Sequence, residues 1–238
     1  MIGGLFPRIG AVLAFVSLAV GMAASSSYVA AALFAAVVAA WFFTCGRLSK
    51  AAVAGSSVAA LSLMGALSVL PLLSGLCLRV RDALGTTLFG IASALLLSYC
   101  GMGSFTGGGL FVPGSLAGGV EQGVIAQLSN PSVWVVGASW LAAAAAGALL
   151  CSRGGRALPA LGMASSTAIL VFGLMARAFI ESGLASWVPD PADIAVVVVF
   201  GLAAAGIAAW LGAPVRSNSL RTSPGRLGQI SSEGYTCD

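Results

Sequence analysis

The sequence contains no histidine, and only 8% of its residues are charged. Without imidazole there is no histidine-based zinc or haem ligation, no Ser-His-Asp triad and no histidine proton relay. The shortage of charge excludes more. Soluble domains carry roughly 25% charged residues, and this chain of 238 residues, 59% of them hydrophobic, has too few to coat a surface in water. Its mean hydropathy is +1.03, and several apolar runs approach the roughly 20 residues that a bilayer-crossing helix needs. The expectation is an all-α, polytopic integral membrane protein built as one transmembrane domain, residues 1–214.

Other absences narrow the chemistry. The five cysteines, Cys45, Cys77, Cys100, Cys151 and Cys237, include no C-x-x-C pair. They read as small apolar packing residues and one tail thiol, not as a disulfide framework or a metal site. No acid or base lies in the middle of an apolar run, which disfavours ion-coupled transport through buried carboxylates. There is no Gly-x-Ser-x-Gly and no pair of carboxylates at one membrane depth. A protein that is not an enzyme and uses no cofactor or metal is therefore expected. The 11 Lys and Arg against 7 Asp and Glu sit at the ends of apolar runs and form no single patch, so no nucleic-acid partner is expected.

What is present reads as helices and their boundaries. Ile9–Ala24, ending in small residues, has the outline of a signal peptide. The turn after it is so brief that a retained hairpin with Tyr28–Cys45 is the better reading. Trp41, Phe42 and Phe43 then look like an aromatic anchor at the membrane interface. Ala51–Leu78 follows, bracketed by Arg47 and Lys50 on one side and Arg79 and Arg81 on the other. As one straight helix this segment would measure about 42 Å against a hydrocarbon core of roughly 30 Å, and two crossings would get about 14 residues each. Gly65 and Pro71 interrupt it, while Ser56, Ser57, Ser62, Ser68 and Ser74 offer hydroxyls to backbone groups freed by a break.

Charge asymmetry decides between crossing and returning. The later spans are expected at Ala83–Met102, Trp134–Leu150, Leu158–Ala176 and Ala195–Ala213. If residues 51–78 dip in and return, ten of the 11 Lys and Arg lie on the cytoplasmic side, with Arg177 alone outside; if they cross, only four do. The expected protein has about six transmembrane helices plus one re-entrant broken segment, both termini in the cytoplasm, and a bacterial inner-membrane location. Loops 103–132 and 177–194 are then external, and 215–238 is a disordered basic tail.

Two candidate sites emerge. The first is an external rim of Glu121, Arg177, Glu181, Trp187, Asp190 and Asp193. Its plainer reading is a solvated Arg177–Glu181 pair four residues apart, an interfacial tryptophan, and Asp193 at a helix start. The second is an intramembrane hydroxyl cluster, Ser165, Ser166 and Thr167, which lines a solute site or, as such clusters more often do, bonds back to its own helix or a neighbour. Ser139, Ala143 and Gly147 share one helix face and suit close helix packing. The glycine-rich stretch Gly107-Gly108-Gly109 lacks a following Lys-Ser/Thr, so it is not read as a phosphate loop; Val120, Val124 and Leu128 suit a short interfacial helix, and Asn130-Pro131-Ser132 a turn.

Ala40-Trp41-Phe42-Phe43, Gly46-Arg47-Leu48-Ser49, Pro71-Leu72-Leu73-Ser74-Gly75 and Leu78-Arg79-Val80-Arg81-Asp82-Ala83-Leu84 resemble the membrane region that follows the catalytic domain in some bacterial serine/threonine protein kinases. The resemblance covers about the first 100 residues. It implies a membrane anchor beside a cytoplasmic signalling partner; the kinase's own Gly-rich loop, His-Arg-Asp and Asp-Phe-Gly do not occur, so no kinase activity is carried over. The leading expectation is a non-catalytic domain for anchoring, sensing or assembly. The alternative is a substrate-binding membrane component, similar to those of energy-coupling-factor importers, with transport subunits as partners. A lipid-modifying intramembrane enzyme is a third reading without a catalytic group to support it.

Overall fold

A computed structural model describes residues 7–25, 28–45, 53–58, 61, 66–99, 125, 128–152, 157–182, 189 and 191–211. Every regular element among them is helical. Helices α1 (Pro7–Ser25) and α2 (Tyr28–Thr44) come first, and residues 53–58 are also helical. A 3-10 turn, Leu67–Val69, then leads into the short α3 (Leu70–Cys77). Four long helices complete the bundle: α4 (Val80–Tyr99), α5 (Pro131–Ser152), α6 (Ala157–Ser182) and α7 (Pro191–Leu211). By length and composition α4, α5, α6 and α7 can each cross a membrane, whereas α1, α2 and α3 with its 3-10 turn are shorter apolar helices.

Local chemistry explains several boundaries. Asn130 caps α5, accepting from the Ser132 backbone N–H at 3.0 Å and from the Ser132 hydroxyl at 2.9 Å. Pro131 is the first helical residue, where a missing N–H costs nothing. The Asn-Pro-Ser turn is thus a helix cap. Trp134 fixes the approach by donating its indole N–H to the Leu128 carbonyl at 2.7 Å. Asp82 and Asp193 lie in the first turns of α4 and α7, where a carboxylate meets the positive end of the helix dipole. Pro71 occupies the first turn of α3 in the same way.

The contacts give the relative directions of several helices. Cys45 lies against Gly85 and Trp41 against Thr86 and Phe89, so α2 and α4 are antiparallel, with the end of α2 beside the start of α4. Leu70 meets Gly90 and Ser74 meets Thr87, so α3 runs from the middle of α4 back towards its start. The chain between α2 and α4 therefore leaves and returns at one end of the bundle. Gly173 of α6 meets Ser139, and Cys151 donates to the Pro159 carbonyl at 3.8 Å, making α5 and α6 an antiparallel hairpin. Gly201 of α7 packs on Thr167 of α6.

Two kinds of packing hold these helices. At the α1–α2–α4 junction, Phe15 meets Phe34, Trp41 and Phe89 edge-on, and Trp41 stacks on Phe89 with centroids 4.9 Å apart. Trp41 is 4% exposed, which corrects its expected place at the interface. It shares an inward face with Ala30 and Phe34, and Gly55 leaves room for the indole edge, so the ring is a core filler. Phe43, on the other face, is exposed. Around α3, α5 and α6 small residues replace rings: Gly75, Gly147, Ser166, Ser139 and Gly173 bring backbones together.

The expected spans and the observed helices agree in order and differ at their ends. The largest difference is at α6, expected to stop at Ala176 but continuing to Ser182. Its 26 residues extend about 39 Å, beyond a hydrocarbon core of roughly 30 Å. The extra turns carry the Arg177–Glu181 pair, whose 2.8 Å contact supports helix where polarity alone suggests loop.

Candidate functional site

The most unusual backbone in the bundle is the start of α3, where a helix begins in the protein's interior. Ala66, Leu67, Val69, Leu70 and Leu72 are all buried, and so are Ser68 and Ser74. An apolar setting demands that each polar group find a partner. Ser74 provides the clearest example. Its hydroxyl lies 3.1 Å from the Pro71 carbonyl and 2.9 Å from the Thr87 hydroxyl. Both contacts are satisfied when Thr87 donates to Ser74 and Ser74 donates to Pro71. Beside it, Thr86 accepts a long 3.4 Å contact from the Trp41 indole N–H, linking the hydroxyls to the aromatic junction.

Gly75 lies on the face of α3 that meets α5. A Cβ there would stand 3.2 Å from the Ala144 carbonyl oxygen, closer than most such contacts, and 3.4 Å from the Gly147 Cα, so the α5 backbone would have to give by a few tenths of an ångström. A Cβ on Gly147 would in turn stand 2.9 Å from the Ser166 hydroxyl. Three helices therefore converge at backbone distance around Gly75, Gly147 and Ser166. The face Ser139, Ala143 and Gly147, singled out by its spacing, is the packing surface it was expected to be.

The cluster Ser165, Ser166 and Thr167 does not act as a unit. Ser165 donates to the Gly162 carbonyl at 2.9 Å and Thr167 to the Met163 carbonyl at 2.8 Å, both within α6. Ser166, fully buried, lies 2.8 Å from the Gly162 carbonyl and 2.8 Å from the Ala143 carbonyl of α5, with one proton to share between them. The three hydroxyls are engaged with backbone, and Ser166 ties two helices together. Thr167 also borders an apolar groove of about 470 Å³ between α6 and α7, together with Ala168, Phe172 and Leu202. A second apolar groove, about 290 Å³, lies between α1 and α2 and is lined by Phe15, Phe34, Phe42 and Phe43 among others.

Of the external rim, Arg177, Glu181 and Asp193 fall on described residues, and Glu121, Trp187 and Asp190 lie outside them. Arg177 and Glu181 form their i,i+4 pair on the last turns of α6, and Asp193 is in the first turn of α7. The pair is partly exposed and of the kind worth about 0.3–0.5 kcal/mol. It extends a helix and closes no cavity among the described residues.

Thr86, Thr87 and Ser93 on α4 escaped notice in the sequence. They are fully buried on the face turned to the core, and their spacing around Gly90 was the available signal. Ser93 differs from the others, since its hydroxyl has no hydrogen-bond partner among the described residues. Among those residues no group of three cysteines or carboxylates gathers for a metal ion. No family model, no curated protein and no solved structure matches the chain.

Proposed function

We propose that the chain is a non-catalytic, multi-pass membrane protein that anchors or assembles partners within the bilayer. One observation carries this reading: the interior is packed helix against helix, with the hydroxyls of Ser74, Thr87, Ser166 and Thr167 bonded to one another or to backbone carbonyls and that of Thr86 to the Trp41 indole. The two grooves are apolar and open between helices on the outside of the bundle. A surface of that kind suits acyl chains or other membrane helices better than a polar metabolite.

Six crossings and one re-entrant segment form part of the proposal, with both ends in the cytoplasm and the protein in a bacterial inner membrane. The support is that helix directions, read from contacts alone, agree with the charges. Arg79 and Arg81 are exposed at the end where α2 stops and α4 starts. In sequence, Arg8 is at the start of α1, Arg47 and Lys50 follow α2, and Arg153 and Arg156 follow α5, all segments that the proposal puts in the cytoplasm, while Arg177 lies near the end of α6. Helices α1 and α2, of 19 and 17 residues, fall within the roughly 17–25 that a span requires. A variant keeping only Cys77 as its thiol is expected to resist impermeant thiol reagents added to intact cells; labelling from outside would overturn the re-entrant arrangement.

The importer reading keeps one supporting observation, the helix that starts within the bundle at Leu67, since broken helices are where transporters build solute sites. Affinity purification in mild detergent, with mass spectrometry of proteins and small molecules, separates the two. A signalling or structural partner without solute is the result expected for an anchor. Recovery of paired ATPases with a coupling protein, or of a stoichiometric metabolite, would replace that reading with the importer.

A further inference from the structure

We draw no further inference here: the strongest candidate, the apolar groove between α6 and α7 bordered by Thr167, Phe172 and Leu202, opens to the outside of the bundle, and nothing in the structure shows what covers it.

Discussion

The α1–α2–α4 junction and the α3–α5–α6 junction hold helices together by opposite means. The first inserts volume: Phe15, Phe34, Trp41 and Phe89 fill the space between helices with rings. The second removes it, letting Gly75, Gly147 and Ser166 bring backbones into contact. Lipid tails are as apolar as leucine, so neither junction gains by leaving an aqueous phase; each gains through dispersion and hydrogen bonding alone. Rings supply many contacts per residue and accept a change of shape. Small residues supply few contacts each and accept almost no added atom.

Substitutions test this contrast, and the largest effect is expected at Trp41. Trp41→Ala removes the stack on Phe89 and the edge contact with Phe15, at a cost of about 3 kcal/mol, the low end of the aromatic range because lipid competes for the vacated space. Equilibrium unfolding in mixed micelles reads it. A second comparison sharpens the difference. Trp41→Phe keeps a ring in place and should cost less than about 1.5 kcal/mol, whereas Gly75→Ala presses a methyl on the Ala144 carbonyl, which must shift, and should cost about 1–3 kcal/mol. Equal tolerance at the two sites would mean that α3 and α5 are not held at backbone distance.

Smaller effects follow for the hydroxyls. Ser166→Ala and Ser74→Ala should each lose about 0.6 kcal/mol, the average for hydrogen bonds between membrane helices. Ser93→Ala should be neutral or stabilising in the same assay, since its buried hydroxyl has no partner to lose among the described residues. A loss at Ser93 as large as that at Ser166 would show that Ser93 is bonded after all.

The sequence made the class legible for a plain reason: scarce charge and runs of spanning length leave few alternatives. It also marked the broken segment, because a 28-residue apolar stretch between basic pairs fits neither one crossing nor two. The face of Ser139, Ala143 and Gly147 was legible from its four-residue spacing. Trp41 was not, because an aromatic beside basic residues looks the same whether it faces headgroups or core; only the rotation of α2 about its axis distinguishes Trp41 from Phe43. Thr87 and Ser74 are 13 positions apart, and no local pattern pairs them. For the Ser165–Thr167 cluster the plainer expectation, bonds back to its own helix or a neighbour, is what the hydroxyls make, though composition alone does not say which carbonyls accept.

The placement of α3 bears on how the protein is made. Its buried face lies against α4, α5, α6 and α7, so most of its partners are synthesised after it. When Cys77 is added to the growing chain, the Gly147 that will meet Gly75 is still 70 residues away. A helix of eight residues is too short to span a bilayer alone, so its burial depends on the helices that follow it. The α1–α2–α4 junction can close from the first half of the chain, whereas the seat of α3 is made by what is synthesised after it.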